Sequence, residues 1–292
     1  MDNKWQRDLN KFLEGNDFKD ENELREKMQE FMNMYNNEEI EFESTQLDEA
    51  YDLLDMSQEA DSLEEALKYA NEAYKVCPEC FDALIRLACL EENPLKRLKM
   101  LNKGLTLEEN KLKKEEFFKD ENIGRFYGIF ETRPYIRGLR IKAGFLLEDG
   151  KIRQAKAVCE EVLRLNEYDN TGARYLLMAI HAYLENEEEL LKLYKKFPEE
   201  HLEVLFPLFA LYYKLGDNKK AGQYLDRINK SNKHFIEFFK DGLKKDTKIP
   251  RGYYSIGDIS EINMYFDSYN FIVLSMPNLN YFVLDHFNKK RK

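Results

Sequence analysis

Small and apolar residues recur at fixed offsets along this chain, and the offsets predict pairs of antiparallel helices. In residues 50–80, AYDLLDMSQEADSLEEALKYANEAYKVCPEC, Leu53 takes an apolar contact position. Ala66 and Ala73 take the two places where paired helices approach closely, and Pro78 closes the unit. The layout returns over 136–169, with Gly150 in the turn between helices and Ala155 at the first small position. One period on, 170–186 supplies a first helix with Leu176 on the contact position, and EEELLKLYKKF its partner, here without turn glycine or small alanine. The copy at 202–229 restores Gly216 and Ala221. It also puts Pro207 inside a first helix, where the missing amide predicts a kink or a late start.

Between the clear copies the pattern weakens. FDALIRLACLEENPLKRLKMLNKGL (81–105) predicts a helix pair broken at Asn93-Pro94, and the charged 107–126 an extra helix and linker. Near the end, a shortened helix is expected over 231–245, a break at IPRGYYSIGD, and two final helices at about 259–271 and 278–288. The expected organisation is acidic N-terminal helices (1–45), a repeat and a degenerate helix pair (46–106), the extra helix and linker (107–132), further repeats (133–245) and capping helices (246–292). Terminal units must cover the last apolar face of a stack, which suits the aromatic content there.

Composition sharpens this picture. Only 20 of 292 residues are Gly or Pro, which favours an all-α chain, and 43% hydrophobic content can bury a sizeable core. The opening MDNKWQRD has acids where a signal peptide needs a basic, then apolar, start, and VLFPLFALYY (204–213) falls short of a membrane span. Four cysteines among lysine-rich helices suggest reduced thiols, so a cytoplasmic location without membrane partners is expected. Residues 1–65 hold 21 acidic and 6 basic side chains, and the net charge of −10 argues against nucleic acid as a partner. The terminal KKRK is expected to be a solvated tail.

A period of about 34 residues with small residues at the helix contacts is the pattern of a tetratricopeptide repeat. NELREKMQEFMNMYNN (22–37), CPECFDALIRLA (77–88), GIFETRPYIRG (128–138), LRLNEYDNTGARYLL (163–177) and IPRGYYSIGD (249–258) together resemble a group of bacterial tetratricopeptide-repeat proteins. That group carries ETRPYMR, LNPNDNxGxRYLL and PxYxxG stretches; Ile136, Glu167 and Tyr168 depart from them. The resemblance implies a right-handed α-solenoid with irregular flanking helices; the group has no established activity, so the resemblance bears on the fold and hardly on the function.

Candidate chemistry is sparse. CPEC (77–80) is a Cys-x-x-Cys without paired ligands nearby, so neither metal nor cofactor is expected. The runs of Glu suit solvated helix faces, and no nucleotide, zinc-protease or hydrolase motif occurs, so an enzyme is not expected. The arginines of ETRPYIRGLR (131–140) are more informative. The register set by Gly150 and Ala155 places Arg137, Arg140, Gly144 and Leu147 on the concave face, and one period on Thr171, Arg174, Met178 and His181. Arg140 and Arg174 are then equivalent residues of adjacent repeats. Like charges there either grip an acidic ligand, with Asn170 adding an amide, or are satisfied internally by Glu131, Glu148 or another acid. Arg133, before Pro134, suits loop closure. The expected function is a non-catalytic scaffold for a peptide or protein segment, possibly acidic, with Met178, Phe206 and Tyr213 as apolar groove positions. The alternative is a small-anion sensor or enzyme subunit using the arginine-lined pocket.

Overall fold

The computed structural model describes residues 4–13, 19–241 and 254–289, and among these it contains sixteen α-helices, a few 3-10 turns and no strand. Residues 242–253 and 290–292 lie outside it, and with them the end of the expected helix at 231–245, part of IPRGYYSIGD and most of KKRK. No described helix is long and apolar enough to cross a membrane. The chain divides into two compact units, 1–149 and 150–292.

In the first unit the helices are α1 (Lys4–Leu13), α2 (Glu21–Asn36), α3 (Gln46–Glu59), α4 (Leu63–Val76), α5 (Phe81–Leu90), α6 (Pro94–Lys114) and α7 (Arg133–Glu148). Polar caps set their starts: Thr45 and Asp48 form a capping box on α3, Ser62 caps α4, and Asn93 caps α6 ahead of Pro94. Each helix from α3 onward packs on its successor, while α5 also packs on α3 and α7. Ala50, Leu54, Ala73 and Ala83 are buried where α3, α4 and α5 meet.

Phe81 interlocks three helices. A Cβ on Gly104 of α6 would lie 2.6 Å from its ring, and one on Gly138 of α7 would lie 2.8 Å from it. The ring fits only because both positions lack a side chain.

The expected break at Asn93-Pro94 is present, but the separate helix after residue 106 is not. Instead α6 runs on to Lys114, because nothing between Leu105 and Lys114 interrupts helical hydrogen bonding. Its core stripe, Leu98, Leu101, Leu105, Glu108 and Leu112, keeps one face buried throughout. At the N-terminus, α1 is tied to α3 by Arg7, which reaches Asp52 at 2.7 Å and Asp48 at 3.3 Å. Burial would raise the Asp48 carboxyl, yet hydrogen bonds from Lys11 and Thr45 hold it at about 2. The acidic segment thus neutralises part of its charge with its own few cations.

In the second unit, α8 (Ile152–Leu165), α9 (Ala173–Tyr183), α10 (Glu187–Lys196), α11 (Leu202–Lys214) and α12 (Asn218–Ser231) precede α13 (Phe235–Asp241), α14 (Ile259–Ser268), α15 (Asn270–Leu274) and α16 (Leu279–Lys289). The core helices α9 and α11 lie against each other; α8 and α10 flank α9, and α12 flanks α11. Pro207 lies inside α11, which starts ahead of it at Leu202. Gly216 ends α11 with φ +78, and Asp217 N–H closes the turn onto the Tyr212 carbonyl at 2.9 Å. The copy lacking a turn glycine uses Glu185 in the same left-handed conformation, φ +60, closed by Asn186 N–H onto the His181 carbonyl at 2.9 Å. Its hydrogen bonds hold a non-glycine residue where glycine is favoured.

Ala155 and Ala221 are fully buried. Ala155→Leu and Ala221→Leu are each expected to cost about 1–3 kcal/mol by overfilling a helix contact. Chemical denaturation checks this, and parental stability in both variants would refute the assigned register.

Candidate functional site

Three arginines selected by the sequence meet three different fates. Arg137, on α7, grips Asp82 at the start of α5: Nε donates to Oδ1 at 3.0 Å, and Nη2 donates to Oδ2. Asp82 is only 3% exposed, and the Tyr51 hydroxyl donates to its Oδ2 at 2.9 Å. Burial, reinforced by the Asp82 charge, pushes the Tyr51 phenol up, so it stays a neutral donor. Nearby, Arg133 Nε donates to the Tyr127 carbonyl at 2.9 Å, and its guanidinium lies over the Tyr127 and Phe130 rings. That geometry closes the loop ahead of α7.

Arg174, at the start of α9, is held from two sides. Asp169, in the left-handed region at φ +51, accepts the backbone amides of Ala173 and Arg174 at 2.8 Å each, and Arg174 Nη1 at 3.0 Å. Arg174 Nη2 donates to Glu199 at 3.0 Å, and the guanidinium stacks 4.1 Å from the centre of the Tyr175 ring. The Tyr175 hydroxyl donates to Glu199 Oε2 at 2.7 Å, and His201 Nε2 lies 2.6 Å from the same oxygen. Burial alone would raise the Glu199 carboxyl, but His201, Tyr175 and Arg174 outweigh it and hold the group below its ordinary pKa. A carboxylate so stabilised is a weak proton acceptor, so the pair fixes charge better than it moves protons.

Two further carboxylates stand at the same end of α11. Glu203 accepts the Tyr254 hydroxyl at 2.6 Å and the Tyr269 hydroxyl at 2.8 Å. Glu261, fully buried, accepts the Leu202 and Gly257 amides at 2.8 Å and Asn232 Nδ2 at 2.9 Å. Carboxylates are favoured beside the N-terminus of α11 by its free amides and dipole.

Arg140 differs. It is half-buried, its Nε is enclosed, and it finds no hydrogen-bond acceptor among the described residues. Arg140 belongs to the first unit and Arg174 to the second. Asn170 is exposed. Met178 and His181, expected on an open groove face, are buried instead; burial first, and then Lys156, lowers the His181 pKa and keeps the ring neutral. Glu148, one of the acids considered for these arginines, pairs with Arg97.

The charges around His181 come from α8 and α10, Lys156, Glu160 and Glu189, while the C-terminal helices cover other positions of α9 and α11. Helix α15 packs on α9 and α14 on α11. The Phe206 ring meets Tyr265 at 5.0 Å and Phe266 at 5.3 Å, Tyr213 meets Phe282 at 5.0 Å, and Tyr183 meets Phe271 at 5.6 Å. Sequence reasoning selected Phe206 and Tyr213, with Met178, as apolar positions of a groove for a peptide, whereas here the chain's own Tyr265, Phe266 and Phe282 meet the rings of Phe206 and Tyr213. It did not select Asp82, Asp169, Glu199 or His201. The acids sit in a chain with 55 of them, and only long-range folding distinguishes the few that are buried.

Removing one partner of a buried charge pair costs about 3–5 kcal/mol. Arg137→Ala and Arg174→Ala are therefore expected to lose several kcal/mol, whereas Arg140→Ala, which strands no carboxylate, should lose less than about 1 kcal/mol. Urea denaturation of the three variants side by side checks the contrast.

Searched against models of known families and against curated proteins, the chain matches none.

Proposed function

We propose that this protein is a non-catalytic scaffold of the tetratricopeptide type, a right-handed solenoid that binds a helical peptide or protein segment on the inner face of its first helices. The helix pairs α3/α4, α5/α6, α9/α10 and α11/α12, with their short connections and the left-handed turns after α9 and α11, support the architecture. One observation carries the function: α9 and α11 receive α14 and α15 through aromatic contacts, as a helix-in-groove receptor receives its ligand. The partner is then an amphipathic helix whose aromatic residues take the places of Tyr265, Phe266 and Phe282.

Acidity of that partner is a lesser part of this reading, since Arg137 and Arg174 already hold carboxylates. A second reading, a small-anion site, is favoured by Arg140 alone, whose enclosed Nε lacks an acceptor among the described residues.

The test uses the full chain carrying Phe282→Asp, which loosens α16 from Tyr213 and Phe209, and a fluorescent peptide spanning residues 259–289. Saturable binding is expected, at least tenfold tighter than to the parent chain. Phe271→Asp provides the same test through Tyr183. Two variants that stay helical by circular dichroism and bind no peptide would overturn the reading.

A further inference from the structure

We infer that the first unit carries a separate ligand site, a cleft between α4, α5 and α6 that takes a primary ammonium group on an apolar body, with Glu108 as its counter-ion. The inference goes beyond the helix-binding face of the second unit and does not depend on it.

The argument starts from the stripe of α6. Leu98, Leu101, Leu105 and Leu112 recur at alternating three- and four-residue steps, and Glu108 stands where a fifth leucine belongs. It is 7% exposed. A carboxylate in such a place is costly unless a donor or a cation meets it. The other buried carboxylates described above are all met: Asp82 by Arg137 and Tyr51, Asp169 by Arg174, and Glu261 by three N–H groups. Glu108 alone among them has no hydrogen bond and no ion pair among the described residues. Lys111, one turn further along, is exposed and makes no ion pair with it. Burial raises the Glu108 pKa, Lys111 offsets this only in part, and the nearby Asp82 and Glu115 charges add to the rise.

The carboxyl opens into a cleft of about 470 Å³, within the size range of small-ligand sites. Phe81, Leu84 and the bare backbone of Gly104 also line it, together with Tyr74 and Leu107, which leave 38% and 61% of their surface exposed. The exposed charges on the lining, Glu79 and Glu115 with Lys111 and Lys114, cancel, which leaves the apolar floor and the one buried anion, Glu108, to select a cation with an apolar body, and the Tyr74 and Phe81 rings favour the same charge. The apolar lining of Phe81, Leu84, Tyr74 and Leu107 suits an organic cation, which can bury an apolar body against it. An ammonium fits better than a guanidinium, whose five donors a single carboxylate cannot satisfy. Cys80 lines the same cleft, but burial and the Asp82 charge push its thiol up to about 12, so it contributes bulk and no nucleophile.

The experiment titrates the full chain at pH 7.5 by calorimetry with phenethylamine, with its neutral analogue 2-phenylethanol, and with a short peptide amide bearing an N-terminal phenylalanine. Saturable binding is expected for an amine and at least tenfold weaker binding for the alcohol. The free amine alone would assign a small-molecule ligand and the peptide alone a chain N-terminus; both support the site. Glu108→Gln should lose at least tenfold in amine affinity while melting no lower than the parent, since the amide keeps the shape and removes a buried charge. Affinity in the parent should fall as the pH is lowered and Glu108 takes up a proton. Tyr74→Ala, at an exposed position, should weaken binding severalfold and serves if the glutamine variant fails to fold. No saturable amine binding, equal affinity for the alcohol, or unchanged affinity in Glu108→Gln would overturn the proposal.

Discussion

A buried carboxylate compels the chain to bring a donor to it, and much of this structure can be read as the answer to that demand. Asp82 is answered by Tyr51, 31 residues before it, and by Arg137, 55 residues after it, which makes α3, α5 and α7 mutually dependent. Glu261 is answered by amides from the start of α11, from Asn232 after α12 and from the turn before α14. Helices whose apolar stripes could slide by a turn are fixed in register by these ties, because a slipped arrangement would leave a charge without its partner. Breaking such a pair is far more costly than the pair's own contribution, so the ties specify the arrangement more than they strengthen it.

The second constraint is aromatic. The inner surface of α9 and α11 presents Phe206, Phe209, Tyr183 and Tyr213, and the C-terminal helices return rings to each of them. Burial of that area is the main reason for α14 to α16 to stay folded against the unit, since helices this short are marginal alone. That surface is filled within the chain, by helices whose tether keeps them at high effective concentration beside it.

Helix positions were largely legible in the sequence because they depend on local chemistry. Gly150, Gly216 and Pro94 announce starts and stops that the structure keeps. The failures are also local in origin: Glu185 takes a turn conformation that its side chain does not advertise, and α6 lacks the interruption expected beyond Leu105. The arginines were legible as residues of consequence, but their partners were not. Asp82 and Asp169 lie 55 and 5 residues from the guanidiniums they hold, and no spacing rule marks either among so many exposed acids. Glu108 did carry a signal, a charge interrupting a leucine stripe, visible once α6 is taken as one continuous helix.

The ring of Phe81, seated between Gly104 and Gly138, limits how the first unit can move. Because a side chain at either glycine would collide with it, α6 and α7 approach the ring at backbone distance and leave no slack for sliding. Changing the spacing of those helices requires ejecting the ring altogether, an all-or-none event rather than a graded one. The cleft beside Glu108 shares that ring as a wall. Displacing Phe81 from that wall would release α6 and α7 at once.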